Sequence, residues 1–423
     1  MRAARRYWPA ERVYLVLRAA QALADAVMFT VYVVYFVQAA RLDPLQLVLV
    51  GTVLELTYFL GEVPTGVVAD VYSRRLSVII GVLLLGASFV LTGALPVFLA
   101  ILLAQVIAGL GYTFLSGATD AWLADEIGEA NVGPLLLRAG QVGRVAGLVG
   151  TGLSVALASV WIHLPYLAGG TVYLLLAVFL AIAMPERGFQ PQPREARTTW
   201  AALRATFLDG LRVVRGSPVL LMLVAVELFS GAASEGFDRL GQAHLLQNFT
   251  FPALGTLAPI VWFGLLGIAG DLLSLAAVEP ARRRLEAVLR DGRATMRLLL
   301  ALEAVVAASV ITFALAGNFW LAVTALLAKS VAQALAGPLY SAWLVQSVPG
   351  AVRATVISMV GQSNALGQMG VGPAVGAVGR YGSLRAALVT SGLLLTPVLG
   401  LLAWRLRGES AAPAAARAEL AAD

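Results

Sequence analysis

The sequence predicts an all-α membrane protein in which twelve transmembrane helices form two pseudo-symmetric six-helix bundles. The composition, the number of apolar runs and a repeat in their arrangement predict it. Of the 423 residues, 59% are hydrophobic and only 13% are charged, whereas soluble domains carry roughly 25% charged residues. So few polar side chains cannot cover the surface of a soluble protein of this size. The composition therefore excludes a cytosolic enzyme, a nucleic-acid-binding protein and a disordered protein.

The rarest residue types exclude further classes of protein. The chain has no cysteine and two histidines, so we expect no disulfide, no thiolate nucleophile and no metal or other cofactor. An intramembrane enzyme needs a convergent nucleophile, base or metal set, and no such motif is present. A nucleotide-binding glycine loop is also absent, which indicates that a gradient and not ATP supplies the energy. The net charge of +6 comes from arginines in short loops, so we expect no nucleic-acid partner.

Twelve apolar runs are long enough to be transmembrane helices, since a helix needs about 20 apolar residues to cross the hydrocarbon. We predict spans one to six at residues 13–38, 45–69, 76–95, 97–122, 135–160 and 163–184. We predict spans seven to twelve at residues 217–239, 256–278, 297–316, 318–346, 354–378 and 384–405.

The longest polar stretch, with Pro191, Pro193 and many arginines, separates the two sets of spans. We predict an N-terminal bundle, a cytoplasmic linker, a C-terminal bundle and a disordered cytoplasmic tail rich in alanine, at residues 1–185, 186–216, 217–408 and 409–423. Arginines concentrate before span one, after span two, in the linker and after span eight. By the positive-inside rule, both termini are cytoplasmic.

Span one has a signal peptide as its alternative interpretation, because Val37-Gln38-Ala39 resembles a cleavage site. However, its apolar run exceeds the roughly 7–15 residues of a signal core, and it contains Arg18 and Asp25. We therefore predict a multi-pass membrane protein that keeps span one.

Glycine-rich segments occupy the fifth span of each half, which indicates an internal duplication. Gly143 and Gly147 lie in span five, and Gly372 and Pro373 lie in span eleven. Small residues at such spacing let helix backbones approach closely in lipid. We expect these residues to lie at helix contacts.

The loop after span two carries a compact charged motif, Gly66-Val67-Val68-Ala69-Asp70-Val71-Tyr72-Ser73-Arg74-Arg75. Its glycine would allow a tight helix contact, its aspartate can pair with an arginine or a helix N-terminus, and its arginines are forked donors. We predict a latch between helical bundles at the cytoplasmic face, formed by Gly66, Asp70, Arg74 and Arg75 together with Asp120 and Asp125 from the end of span four. An ordinary positive-inside loop is the alternative.

This motif resembles the signature loop of the major facilitator superfamily, and Glu62-Val63-Pro64-Thr65-Gly66 resembles its bacterial drug:proton antiporter branch of tetracycline and macrolide exporters. Further similar stretches are Leu42-Asp43-Pro44-Leu45-Gln46, Ser116-Gly117-Ala118-Thr119-Asp120-Ala121-Trp122, Met184-Pro185-Glu186 and Arg353-Ala354-Thr355-Val356-Ile357-Ser358. The resemblance covers nearly the whole chain. It implies the major facilitator fold and a monomeric transporter in a bacterial cytoplasmic membrane.

The sequence departs from the pattern of this branch at three places. Val71 and Ser73 replace the usual Arg and Gly of the loop, and Gln105 stands where many members have an arginine in span four. Gly147-Leu148-Val149-Gly150 lacks the proline of the antiporter pattern, although Gly372-Pro373-Ala374-Val375-Gly376 in span eleven is similar to it. The missing proline keeps an uptake symporter open as an alternative.

Ionisable residues at mid-membrane depth are the strongest functional evidence, because each costs about 2.5–3.5 kcal/mol at the bilayer centre. Asp25 lies near the middle of span one, with Arg18 and Tyr32 on the same helical stripe. The resemblance implies that spans one, four, seven and ten line a central cavity. We predict that Asp25 binds a proton or a cation there; a structural pair with Arg18 or Arg144 is the alternative.

Charged residues in spans seven and ten form the second candidate group. Glu227 lies mid-depth in span seven, and Lys329, the only lysine, lies in the middle of span ten with Gln333 on its face. A buried ammonium can pair with a carboxylate, so a pair of Lys329 with Glu227 or Asp25 would break and re-form during transport. A static bridge between the halves is the alternative.

A third pair is predicted between neighbouring helices. Glu55 lies mid-depth in span two and Arg144 lies within span five. We predict that these two residues form a buried pair with a structural role.

The sequence therefore predicts a secondary active transporter that exports amphipathic drugs or related small molecules by proton-coupled alternating access. Its predicted partners are a small-molecule substrate, protons and membrane lipid. A carboxylate cannot hold a proton and a cationic substrate together, so competition at Asp25 or Glu227 would couple their opposite movements. Proton-coupled uptake of a small nutrient is the alternative.

Overall fold

The computed structural model describes residues 7–190, 211–212, 214–255, 259–348 and 353–407. The predicted tail at 409–423 and most of the predicted linker, with Pro191 and Pro193, lie outside the described residues.

The regular structure of these ranges is α-helical. The helices of the N-terminal half are α1 (Ala10–Phe29), α2 (Tyr32–Gln38), α3 (Pro44–Val71), α4 (Arg74–Ala94), α5 (Phe98–Leu115), α6 (Ala118–Ile127), α7 (Glu129–Val160) and α8 (Leu164–Ala183). Those of the C-terminal half are α9 (Pro218–Asn248), α10 (Val261–Val288), α11 (Gly292–Leu315), α12 (Phe319–Ser347), α13 (Arg353–Tyr381) and α14 (Leu384–Leu393). After a turn, α14 continues as one span to Arg407.

Eleven helical segments of the described chain are long and apolar enough to cross a membrane. The helix at the position of predicted span eleven, α13, is 29 residues long but is not among them. Gln362, Asn364, Gln368 and several glycines lower its apolar content. The prediction of an all-α membrane protein is confirmed, and polar side chains interrupt the apolar pattern of α13.

Several helices extend beyond the predicted spans. Helix α7 begins at Glu129 instead of residue 135, and α9 ends at Asn248 instead of residue 239. Helix α10 covers Val261–Val288 instead of 256–278. Backbone hydrogen bonding does not depend on apolar side chains, so a helix continues through the charged residues at which an apolar run ends.

Predicted spans one and four are broken helices. Span one consists of α1 and α2, and span four consists of α5 and α6 with Ser116 and Gly117 between them. Gly117 has a φ of 69°, a left-handed conformation that glycine adopts without steric cost. A break is tolerated inside a membrane where side chains satisfy the freed backbone groups. Here the Ser77 hydroxyl donates to the Phe114 carbonyl oxygen at 2.7 Å.

The helices divide into two compact units. The first contains residues 1–202 and 251–268, and the second contains residues 203–250 and 269–423. Helix α10 is therefore divided between the units after Ile268. The sequence predicts bundles at 1–185 and 217–408, with all of α10 in the second of them.

In the first unit, α1 packs along α7, and the close contact lies at Gly150. A Cβ added at Gly150 would come within 2.6 Å of the Leu23 carbonyl oxygen. The two predicted packing glycines of this helix are less constrained. A Cβ at Gly143 would meet only Ala22, at 3.7 Å, and one at Gly147 would meet no described atom within 4 Å. The helix contact therefore lies one turn beyond the predicted position.

In the second unit, α9 packs along α13 with equally little space. A Cβ at Gly231 would overlap the backbone of Asn364, and a Cβ at Gly367 would overlap that of Leu228. Gly372 is buried in the same helix, next to Pro373. Small residues thus bring α9 and α13 into backbone contact.

Candidate functional site

Each unit contains a polar cavity, and the one in the first unit has a volume of about 630 Å³. We call it the N-terminal cavity. It lies among α1, α3, α5, α6, α7 and α8, and its polar and charged lining residues are Arg18, Gln21, Asp25, Tyr58, Tyr112, Ser116, Thr119, Asp120, Arg144 and Tyr173. The predicted residues Asp25, Arg18 and Arg144 are therefore brought together in one cavity. Tyr32, predicted on the same stripe, begins α2 after the helix break and is not among the lining residues.

Asp25 is held by a tyrosine and not by an arginine. The hydroxyl of Tyr173, on α8, donates to Asp25 Oδ1 at 2.7 Å, and the Tyr173 side chain is buried. Arg18 lies within electrostatic range of Asp25 but hydrogen-bonds to Gln21 at 3.5 Å. Among the described residues Asp25 forms no ion pair. The alternative interpretation, a pair of Asp25 with Arg18 or Arg144, is therefore not observed in this part of the chain.

The helix break in span four borders the same cavity. Ser116 and Gly117 both line it, next to Thr119 at the start of α6. The Tyr58 hydroxyl donates to Ser116 Oγ at 3.1 Å, and Ser116 Oγ donates to Glu62 Oε1 at 3.2 Å. The break therefore connects a carboxylate of α3 to the cavity through two hydroxyl groups.

The second unit contains a cavity of about 280 Å³, which we call the C-terminal cavity. Helices α9, α11, α12, α13 and α14 enclose it. Its polar and charged lining residues are Glu227, Ser230, Ser234, Glu303, Lys329, Gln333, Tyr340, Asn364 and Ser391. The three residues predicted from spans seven and ten, Glu227, Lys329 and Gln333, thus face one cavity.

Glu227 is held by amide groups from the neighbouring helix. Asn364 Nδ2 donates to Glu227 Oε2 at 2.7 Å, and Gln368 Nε2 donates to Asn364 Oδ1 at 2.7 Å. The buried Tyr340 hydroxyl also interacts with Glu227, from beyond the distance of an ordinary hydrogen bond.

A second carboxylate, Glu303 of α11, lines the same cavity. It lies close enough to Glu227 for the two groups to repel each other when both are ionised. In the described part of the chain neither carboxylate forms an ion pair with Lys or Arg. The two carboxylates therefore give this polar cavity a negatively charged region without a basic ion-pair partner among the described residues.

Lys329 lies at a different level of the cavity from Glu227. Its Nζ donates to Gln333 Oε1 at 2.8 Å, lies 4.1 Å from the ring centroid of Phe237 and interacts electrostatically with Asp238. Phe237 lies ten residues after Glu227 on α9. At 1.5 Å per residue, the two positions are about 15 Å apart along the helix axis. This separation explains why the predicted pair of Lys329 and Glu227 is absent among the described contacts. A pair of Lys329 with Asp25 would join the two units and stays a prediction.

The charged loop motif contacts two other helices of the first unit, and its predicted role as a latch between the bundles stays a prediction. Arg74 Nη1 donates to Asp125 Oδ2 at 2.5 Å and to the Ala121 carbonyl oxygen at 2.8 Å, while Arg74 Nη2 lies 3.9 Å from Asp70. Arg75 Nη2 donates to the Ala181 carbonyl oxygen at 2.7 Å. The motif thus ties the start of α4 to the ends of α6 and α8.

Glu186, which follows α8, completes this cluster. Its carboxylate accepts hydrogen bonds from the Ser73 hydroxyl at 2.7 Å and from the Arg75 backbone amide at 2.9 Å. Two predicted members are placed differently. Asp120 accepts from the Tyr14 hydroxyl at 3.4 Å and lines the N-terminal cavity, and a Cβ at Gly66 would meet no described atom within 4 Å.

The predicted pair of Glu55 and Arg144 stays a prediction. Arg144 is exposed and faces the N-terminal cavity, whereas Glu55 is half-buried on α3 and does not line it.

Sequence reasoning did not assign Tyr173, Asn364, Gln368 or the cavity position of Glu303. The pair of Asn364 and Gln368 carried a usable signal, because two amides four residues apart on a membrane helix lie on one face. Tyr173 carried no such signal. Within the described residues, no three His, Asp or Glu side chains are grouped as metal ligands.

The chain is similar to known transporters in sequence. The family model described as Major Facilitator Superfamily matches residues 14–289. A curated relative from Bacillus subtilis (strain 168), the uncharacterized MFS-type transporter YxaM, is 24% identical over 251 residues, which are 57% of this chain. The chain spans 61% of the length of that relative.

Solved structures are similar over nearly the whole chain. The nucleoside transporter NupG matches with a TM-score of 0.74 at 15% identity, over 95% of this chain and 99% of its own. A bacterial homologue of the human lysosomal transporter Spinster, inward-facing and unoccupied, matches with a TM-score of 0.70 at 14% identity, over 94% and 96%. A POT family transporter in complex with 5-aminolevulinic acid matches with a TM-score of 0.68 at 10% identity, over 94% and 95%.

Proposed function

Because the chain belongs to the major facilitator superfamily, we propose that it is a proton-coupled secondary active transporter that exports amphipathic organic cations. The membrane is a bacterial cytoplasmic membrane, with both termini on the cytoplasmic side. Transport follows alternating access, in which a central site opens to one side of the membrane at a time.

One observation carries this proposal: each unit presents a mid-span carboxylate to a cavity without a basic ion-pair partner among the described residues. Asp25 has a tyrosine hydroxyl and Glu227 has an amide as hydrogen-bond donor. A charge at this depth is costly unless it is compensated. Each carboxylate is therefore favoured to hold either a proton or a cation.

The exclusion between proton and cation supplies the coupling. Protonation of Asp25 or Glu227 removes the negative charge that attracts a cationic substrate, and binding of that substrate displaces the proton. The carrier switches the side of the membrane to which its site is open only when it holds the proton or the substrate. The proton and the substrate therefore move in opposite directions. Proton flow into the cell then drives the substrate out.

Ethidium is a suitable probe because it is amphipathic and permanently cationic, so a pH gradient alone does not redistribute it. We expect the purified chain in proteoliposomes to accumulate ethidium when the lumen is acidic. One pH unit is worth about 1.4 kcal/mol per proton, so a one-for-one exchange gives about tenfold accumulation. The expected result for Asp25→Asn or Glu227→Gln is accumulation at the level of empty vesicles.

Glu286→Gln is the matched control, because Glu286 is exposed and forms a 3.7 Å pair with Arg282 outside both cavities. It should leave accumulation unchanged. Normal gradient-driven accumulation in the Asp25→Asn and Glu227→Gln double variant would refute carboxylate coupling.

Uptake by symport is the second candidate, since α7 lacks a proline at Gly147-Leu148-Val149-Gly150. The sign of the gradient separates the two candidates. An antiporter accumulates the probe in vesicles with an acidic lumen, and a symporter does so when the outside is acidic. Accumulation only with acid outside would replace the export proposal by uptake.

A further inference from the structure

We propose that Asn364 and Gln368 are positioning residues that hold the Glu227 carboxyl group in place in both of its protonation states, by reversing the direction of a two-bond amide chain. The proposal rests on the proposed function, in which Glu227 carries a proton during the transport cycle. It assigns a role to two of the polar side chains that interrupt the apolar pattern of α13.

The chain of bonds runs in a single direction in the structure. Gln368 Nε2 donates to Asn364 Oδ1 at 2.7 Å, and Asn364 Nδ2 donates to Glu227 Oε2 at 2.7 Å. This is the direction that an ionised carboxylate requires, because an ionised carboxylate only accepts hydrogen bonds. Spacing of four residues places both amides on the same face of α13.

Close packing of the two backbones fixes the distance over which Asn364 acts. At Gly231 of α9 a Cβ would overlap the Asn364 carbonyl, and at Gly367 a Cβ would overlap the Leu228 carbonyl. Since both glycines bring α9 and α13 together, the short asparagine side chain reaches the carboxylate of the facing helix directly. The geometry of the bond is thereby set by the helix contact.

A primary amide can serve both states of the carboxyl group because it has a donor end and an acceptor end. When Glu227 takes a proton, its O–H needs an acceptor. Rotation of the Asn364 amide by a half turn presents Oδ1 to Glu227 and Nδ2 to Gln368, whose amide rotates likewise to accept. No covalent bond changes and no proton leaves Glu227, so only the direction of the chain reverses.

Among the described residues, the other groups that face Glu227 contact it less closely than Asn364 does. Glu303 from α11 is a second carboxylate, and the buried Tyr340 hydroxyl from α12 interacts with Glu227 from beyond the distance of an ordinary hydrogen bond. The α14 span contributes Ser391 and Leu395 to the cavity, neither of which titrates in the relevant range. Lys329 lies at the far level of the cavity, beside Phe237.

The test uses infrared difference spectroscopy of the purified full-length chain in lipid vesicles, titrated with acid and without any substrate. The carbonyl stretch of protonated Glu227 is identified by its loss in Glu227→Gln. We expect Asn364→Leu to move this band to higher wavenumber, as for a carboxylic acid without a hydrogen-bonding amide. We expect Gln368→Leu, one bond further away, to broaden the band with a smaller shift.

Gln362→Leu is the matched control, because Gln362 is an exposed glutamine of the same helix on another face. It should leave the band at the wild-type position. If Asn364→Leu does not fold, Gln368→Leu against Gln362→Leu still provides the comparison. An unchanged Glu227 band in Gln368→Leu and Asn364→Leu, or the absence of any titrating Glu227 band, overturns the proposal.

The ethidium assay separates this proposal from the proposed function. Loss of gradient-driven accumulation in Glu227→Gln, together with an unchanged band in the amide variants, refutes the amide chain and leaves proton coupling in place. Normal accumulation in Glu227→Gln, together with a shifted band in Asn364→Leu, supports the amide chain and refutes the transport role of Glu227.

Discussion

The ion pair of Arg74 and Asp125 should stabilise the first unit by a measurable coupling energy. Their N···O distance is 2.5 Å, and Arg74 also donates to the Ala121 carbonyl at 2.8 Å. Arg74→Ala removes both bonds, whereas Asp125→Ala removes one. We therefore expect Arg74→Ala to destabilise the protein more than Asp125→Ala, and the double variant to resemble Arg74→Ala.

Burial sets the size of the effect. The Arg74 and Asp125 side chains are 19% and 25% exposed. A hydrogen bond to a charged group contributes about 1.5–3 kcal/mol and an exposed pair about 0.2–1 kcal/mol, so a coupling of about 1–2 kcal/mol is expected between these limits. The pair of Arg282 and Glu286 is 67% and 64% exposed at 3.7 Å and should couple by less than about 0.5 kcal/mol.

The assay is a double-mutant cycle on the free energy of unfolding. Denaturant titration in mixed micelles, followed by tryptophan fluorescence, gives this energy for wild type, both single variants and the double variant, provided that the denaturant dependence is the same in all four. The same cycle on Arg282 and Glu286 supplies the comparison. Additive effects within about 0.3 kcal/mol, or equal coupling in the two cycles, would show that the buried geometry has no energetic importance.

In each of two pairs of glycine substitutions, one variant should be less stable to heat than the other. Gly367→Ala would place a methyl group against the Leu228 carbonyl and should cost about 1–3 kcal/mol, whereas Gly370→Ala, with no described atom within 4 Å of the new Cβ, should be neutral or stabilising by up to about 1 kcal/mol. Gly117→Ala forces alanine to a φ of 69° at about 1–2 kcal/mol, whereas Gly147→Ala in a helix with open space should not destabilise. The midpoint of thermal unfolding checks both pairs, and equal midpoints within a pair would contradict the packing or the backbone argument.

The helical membrane fold could be predicted because it depends on properties that add along the chain. Apolar runs of sufficient length predict membrane helices directly. Asp25 and Glu227 are recognisable as functional candidates from their positions near the middle of predicted membrane spans. The break in span four was harder to predict, because Ser116 and Gly117 lie within a continuous apolar pattern. The break is accompanied by a tertiary contact, in which the Ser77 hydroxyl of α4 donates to the Phe114 carbonyl oxygen.

Partners of the candidate residues were harder to predict than the residues themselves. The sequence predicts a pair of Lys329 with Glu227 or Asp25, whereas the structure places Lys329 beside Phe237, away from Glu227. Asp25 was given an arginine as its alternative partner, and a tyrosine from α8 holds it. Such partners depend on how each helix is rotated and which helix it meets, and periodicity within one helix contains neither quantity.

The single lysine of the C-terminal cavity gives the protein a built-in chemical reporter. Apart from the α-amino group, Lys329 is the only primary amine of the sequence, and its ammonium group lies over an aromatic ring in a polar cavity. A membrane-impermeant acylating reagent therefore labels one internal position, and the rate of labelling from either side of the bilayer measures how far the cavity is open to that side. Because the chain also has no thiol, a spectroscopic label can be introduced elsewhere through a single cysteine without competing attachment.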